Sequence, residues 1–254
     1  MTVRERIREA RHTVGALLVG LATWELAGRA LHYTFLPPFS SVVRAALDMI
    51  ASGEVIEFLA ASLVGLLIGY ALASVCGVAF GLLMGHYSWF GFVMEPLLNA
   101  FLTAPTLVYV PVLCTIFGIG RGAQVSIVFL SAFFVVAINT MSGIRGVGGN
   151  CVEMARAFGA TDRQLFWKVL LPGALPMTMA GLRLGVGRAV RGMITGEMFI
   201  AFSGLGALLQ RYGNSFDSER VFATLLVAVG VALLCSFAVG EMERRLLVWM
   251  DQIP

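Results

Sequence analysis

Charge is what this chain of 254 residues has least of. Asp, Glu, Lys and Arg together make up 13% of it and hydrophobic residues 58%, whereas soluble domains carry about 25% charge. An ordinary soluble enzyme is excluded, because its surface needs more charge than this chain can supply. Lysine is nearly missing: of 18 basic residues all but Lys168 are arginine. The net charge of +3 is too slight to suggest a nucleic-acid surface. Cysteine is sparse and dispersed at positions 76, 114, 151 and 235, with no CxxC pair, so neither a metal site nor a disulfide framework is expected. His12, His32 and His86 are scattered, with no HExxH and no Ser/His pairing that spacing supports, which removes the grounds for an intramembrane hydrolase.

What is present is apolar length. A hydrocarbon core of ~30 Å takes about 20 helical residues, and six runs qualify: 14–33, 58–85, 92–117, 123–142, 176–200 and 221–242. The expected fold is an all-α integral membrane protein of six transmembrane helices, with an N-terminal segment 1–13 and one membrane domain 14–254. The second run would be about 42 Å long at ~1.5 Å per residue, so it must tilt or protrude. Pro96, Pro105 and Pro111 interrupt the third. The backbone groups they free need partners other than lipid, which predicts an internal helix. Arg4, Arg6, Arg8 and Arg11 precede the first run as in a signal peptide. The run is too long, however, and Trp24, Glu25 and Arg29 follow with no cleavage signal, so it is expected to stay as the first helix.

Basic residues outside the runs set the orientation. With the N-terminus cytoplasmic, the inner segments hold Arg4, Arg6, Arg8, Arg11, Arg145, Arg156, Arg163, Lys168, Arg244 and Arg245. The outer ones hold only Arg44, Arg121, Arg211 and Arg220. Both termini are therefore expected inside.

Segment 143–175 is far longer than the 2–8 residues that join antiparallel helices. Asn150 with Glu153, and Thr161 with Gln164, each match a helix N-cap with its reciprocal partner. Gly159 between them suits a left-handed helix end, and Pro172 and Pro176 read as stops. Two short cytoplasmic helices are predicted, at 151–158 and 162–170. The first carries Met154, Ala155, Ala157 and Phe158, which makes it an apolar knob suited to insertion into a partner, or an interfacial helix resting on headgroups.

Glu153-Met154-Ala155, Gly159 and Val169-x-Leu171-Pro172 resemble the EAA loop of binding-protein-dependent ABC importer permeases. The family pattern is E-A-A, three residues, G, nine residues and I-x-L-P. Met154 replaces its middle alanine and Val169 its isoleucine. Leu36-Pro37-Pro38, Ala104-Pro105, Val110-Pro111, Phe117-Gly118-Ile119, Leu171 to Pro176, Gly181-Leu182-Arg183 and Ser203 to Gly206 are similar to the nitrate/sulfonate/taurine/bicarbonate branch.

The resemblance implies a type I importer of the bacterial cytoplasmic membrane. Two permease subunits, with a homodimer favoured, would pair with two cytosolic ATPase subunits and receive solute from an extracytoplasmic binding protein. The coupling residues it implies are Glu153, Met154, Ala155, Phe158, Gly159, Thr161 and Asp162. No GxxxxGK[ST] occurs in the chain, so ATP is expected on the partner, and the permease is expected to be neither an enzyme nor a cofactor carrier. The rival reading is an ion-coupled secondary transporter, which usually shows inverted repeats. Comparing 14–117 with 123–242 reveals no convincing repeat, and that reading leaves the capped loop unexplained.

The fifth run contains Arg183, Arg188, Arg191 and Glu197. At about 100° per residue these occupy about half the helix circumference, while Gly181, Gly185, Gly192 and Gly196 cluster on a separate arc as a packing face. Arg188, Arg191 and Glu197, with the proline-flexed stretch at Pro105 and Pro111, are the expected translocation path. Charges at such depth usually face a cavity, and arginines there would favour an anion. Arg183 reads as snorkelling to the inner interface or binding loop carbonyls, and Glu197 could simply pair with an arginine. Glu25 and Arg29 are expected to satisfy each other at i,i+4, and Glu95 to cap or pair locally. Loop 201–220 faces outward and resembles the family's segment near the binding-protein dock.

Overall fold

The computed structural model describes residues 3–30, 35–200 and 203–247, and the described residues form helices joined by short turns, without strands. Helix α1 spans Val3–Ala30, α2 Phe39–Ala51 and α3 Glu54–His86. These are followed by α4, Ser88–Thr103, α5, Thr106–Phe117, and α6, Arg121–Arg145. After α7 (Gly149–Ala157) and α8 (Asp162–Leu165), a π turn at Phe166–Leu170 leads into α9 (Leu171–Ile200). Helices α10 (Leu205–Asn214) and α11 (Ser218–Leu247) complete the order.

Four stretches among the described residues are long and apolar enough to cross a membrane: Glu54–His86, Arg121–Arg145, Asp162–Ile200 and Ser218–Leu247. They correspond to the second, fourth, fifth and sixth predicted runs. The third run is not a straight span. It divides into α4 and α5, bent by 100° at Ala104–Pro105, and would make a fifth crossing only if the bent pair counts as one. The first run lies in α1, which is helical but not among the sufficiently apolar helices; its residues 31–33, with His32, fall outside the described residues.

Helix α6 forms the middle layer, packed along α3 on one side and α9 on the other. Small residues allow both approaches. On α9, Gly181, Gly185, Gly192 and Gly196 face Asn139, Val136, Ser131 and Ile127 of α6, so the predicted packing face is real. On α3, Gly65, Gly69, Gly77, Gly81 and Gly85 meet Gln124, Val128, Val136, Thr140 and Ile144 of the same helix. This second stripe repeats every four residues at 65–69 and 77–81–85, a signal the sequence reading applied only to α9.

The outer helices are tied on by polar contacts. Glu25 pairs with Arg29 at 2.6 Å as expected, and it also accepts from the Ser40 backbone N–H at 2.9 Å and the Ser40 hydroxyl at 2.8 Å. The carboxylate thus satisfies a free amide at the start of α2. Trp24 Nε1 donates to the Pro37 carbonyl at 3.1 Å. Glu95 does not pair locally: it binds Arg145, fifty residues on, at 2.6 Å, joining α4 to the end of α6.

Candidate functional site

Most of the predicted site residues fall in two regions, an exposed elbow at 146–170 and the charged face of α9. In the elbow, Thr161 caps α8 as expected. Its hydroxyl accepts from the Gln164 N–H, and Gln164 Oε1 accepts from the Thr161 N–H at 2.9 Å. Gly159 has φ of +78°, the left-handed conformation expected there. Arg156 and Asp162 stand 3.6 Å apart across the corner between α7 and α8.

Two expectations fail in the elbow. Asn150 is not the N-cap of α7: the helix begins two residues after Val147, with Gly148 capping and accepting from the Cys151 and Val152 amides. The flexible Gly148-Gly149 pair lets the turn close earlier than the Asn150–Glu153 pattern suggests. Nor do Pro172 and Pro176 end the second helix. Residues 162–200 run on as one helical rod, because the widened π turn lies just before Pro172 and Pro176 is accommodated inside α9. A proline removes one backbone donor, and a π turn is a local way to absorb such a defect.

Helix α7 has no buried residue. Phe158 is 87% and Met154 56% exposed, and Glu153, Gly159, Thr161 and Asp162 are exposed beside them, with Ala155 half-buried. The predicted knob is therefore an apolar projection. Its base is firm: Leu165 is buried, and the His86 ring at the end of α3 lies edge-on to Phe166 at 5.2 Å. A cavity of about 520 Å³ opens beside this contact, lined by Leu82, Leu83, Tyr87, Phe166 and Trp167.

On α9 the four charges part company. Arg183 pairs with Glu243 of α11 at 3.5 Å and is 61% exposed. Arg191 is exposed, and its Nε donates only to the Gly187 carbonyl of its own helix at 3.2 Å. Arg188 is half-buried and donates to the Leu102 carbonyl at 3.4 Å. Among the described residues neither Arg188 nor Arg191 reaches a carboxylate.

The contact with Leu102 lies at the α4–α5 bend. Pro105 has no N–H to give the Phe101 carbonyl four residues earlier, and that oxygen instead accepts from the Tyr109 hydroxyl at 2.9 Å. Leu102, the next carbonyl, takes Arg188. Two side chains thus supply donors where the bend interrupts the helical ladder. Pro105 sits at the bend and Pro111 inside α5, so the flexed helix is borne out at Pro105.

Glu197 does not pair with an arginine among the described residues: it is 1% exposed and accepts from Ser62 Oγ at 2.9 Å, Gln124 Nε2 at 2.6 Å and the Gly206 N–H at 3.0 Å. Helical-wheel reasoning missed this because α10 folds back over the last turn of α9. Ser203-Gly204-Leu205-Gly206 permits it: Gly204, at φ +94°, has no room for a Cβ beside the carboxylate. At its other end α10 ties to α3, where Tyr212 donates to Glu54 at 2.7 Å and Arg211 pairs with Glu54 at 3.2 Å. Burial first, and then the hydrogen bond to Glu54, push the Tyr212 phenol up to about 12, so it remains a donor.

The sequence profile described as "Binding-protein-dependent transport system inner membrane component" matches residues 77–247. The taurine transport system permease protein TauC of Escherichia coli K12 is 28% identical over 253 residues, covering 97% of this chain and 92% of its own. The putative aliphatic sulfonates transport permease protein SsuC of the same strain is 32% identical, covering 92% of this chain and 90% of its own. Among solved structures, an inward-facing conformation of the MetNI methionine ABC transporter overlays with a TM-score of 0.64 at 22% identity. That match covers 73% of this chain and 92% of that one, and supports the fold.

Proposed function

This chain belongs to the family of binding-protein-dependent transport system inner membrane components and is an ABC importer permease; we propose that the solute it passes is a small organic anion of the sulfonate or carboxylate kind. The observation that carries this is the pair Arg188 and Arg191, on neighbouring turns of one span without a carboxylate partner among the described residues. Ionisable groups within a membrane are expensive unless they face a cavity or a partner. A solute that arrives bearing negative charge supplies that partner. The names of the taurine and aliphatic-sulfonate relatives point to the same chemistry. Uptake by the reconstituted transporter tests the reading: an alkyl sulfonate should enter, and its neutral sulfonamide should not compete.

In the proposed topology α1, α3, the bent α4–α5 pair, α6, α9 and α11 make six crossings of the bacterial cytoplasmic membrane, with both termini inside. The elbow is then cytoplasmic, and α2 and α10 lie outside. Two permease copies, two ATPase subunits that bind the ATP, and an extracytoplasmic binding protein complete the assembly. Each ATPase receives the exposed α7 through Glu153, Met154, Ala155 and Phe158, while Gly159, Thr161 and Asp162 hold the corner.

Two substitutions test the elbow by co-purification. Gly159→Pro forbids the positive φ, and Glu153→Lys reverses an exposed charge. Each should reduce recovery of the ATPase about tenfold or more, since losing ~1.4 kcal/mol already costs a factor of ten. The permease should insert normally. Full ATPase recovery with both variants would refute the elbow as the coupling element.

A further inference from the structure

The rod Asp162–Ile200 has 39 residues, about 58 Å at ~1.5 Å per residue. One end carries the capped corner at Thr161, and the other carries Glu197. Around Glu197 three donors converge from three other helices: the Ser62 hydroxyl of α3, the Gln124 amide of α6 and the Gly206 backbone N–H of α10. Ser62 Oγ in turn accepts from the Leu205 N–H at 2.8 Å, so both opening amides of α10 are held in this cluster. No arginine, lysine or histidine pairs with Glu197 among the described residues. Neutral donors, each from a different element, hold the carboxylate.

A carboxylate only accepts, which suits a point where every neighbour donates. Glutamine at this position keeps one accepting oxygen for Ser62 and Gly206 but sets an NH2 where the other stood, which is met only if the Gln124 amide turns over. The second polar tie of α10, from Tyr212 and Arg211 to Glu54, leads to α3 and not to the rod.

We propose that Glu197 is a positioning residue that fixes α10 to the outer end of the rod, so that a binding protein pressing on α10 moves the elbow at the other end. This rests on the reading of the chain as a permease that meets its ATPase through the elbow. Glu197 acts through α10 and the rod, touching neither solute nor ATP.

The test uses the complete transporter in lipid nanodiscs, with its ATPase and its solute-loaded binding protein. It reads the ratio of ATP hydrolysis with saturating binding protein to hydrolysis without it. Glu197→Gln and Ser62→Ala should each lower this ratio about fivefold or more. The unstimulated rate and the half-saturating binding-protein concentration should stay within about twofold, separating transmission from docking. Glu54→Gln, which loosens α10 from α3 alone, should keep the ratio within about twofold. Ser62→Ala removes a single hydroxyl, so it carries the test even where Glu197→Gln yields no folded protein. A wild-type ratio in Ser62→Ala, or an equal loss in Glu54→Gln, overturns the proposal. A wild-type complex that the binding protein does not stimulate overturns the coupling reading beneath it.

Discussion

Gly81→Val should leave almost no monodisperse protein in detergent. A Cβ at Gly81 falls against the backbone carbonyl of Ala137, lies 2.6 Å from Thr140 Cβ and 3.1 Å from the Met141 nitrogen. Two of these three neighbours are main chain of α6, which cannot rotate out of the way as a side-chain tip can. Nor can α6 retreat, because Gly181, Gly185, Gly192 and Gly196 bring α9 equally close from the opposite side. Overpacking of this kind costs about 3 kcal/mol or more, a large part of the ~5–15 kcal/mol that holds a typical fold. Gly230→Ala is the control. No atom lies within 4 Å of a Cβ there, and removing a glycine from a helix interior gains about 0.5–1 kcal/mol. Size-exclusion profiles and thermal midpoints compare the two. A Gly81→Val protein that elutes and melts like wild type would show that α3 and α6 do not approach this closely.

Arg191→Leu and Arg188→Leu should each cut sulfonate uptake by about 10- to 100-fold, because a hydrogen bond to a charged group contributes ~1.5–3 kcal/mol. The double variant should be close to inactive, while ATPase association persists, because the elbow lies at the Thr161 end of the rod and is untouched. The two sites differ in a second respect. Among the described residues Arg191 donates only to its own helix, so its loss should remove charge without disturbing packing. Arg188 also serves the Leu102 carbonyl at the bend, so its loss should lower the thermal midpoint as well. Retained sulfonate uptake in Arg191→Leu, at normal complex yield, would sink the anion path.

Legibility in the sequence followed the range of the interactions. Thr161, Gln164 and Gly159 act on their own backbone, so spacing alone located the corner they make. The glycine face of α9 was legible for a similar reason: one helix carries the whole pattern. Glu197 could not be read this way, since its donors come from residues 62, 124 and 206, brought together only by three helix packings and a returning loop. Glu95 shows the same limit, its partner being Arg145 rather than a near neighbour. The prolines misled in another fashion. Pro172 and Pro176 carry a breaking tendency that a widened turn upstream absorbs, and no count of residues along the chain reveals that turn. Pro105, with no such turn, does bend the chain.

Val136 of α6 stands between Gly77 of α3, whose Cβ would lie 3.0 Å from it, and Gly185 of α9, whose Cβ would lie 2.9 Å from it. Positions 77, 136 and 185 therefore share one allotment of volume. Over many generations a lineage can enlarge either glycine only after 136 has shrunk, and a bulkier 136 is closed to it while both neighbours remain. Three residues far apart in the gene are thus bound to a common history, with the middle helix setting the order in which they can change.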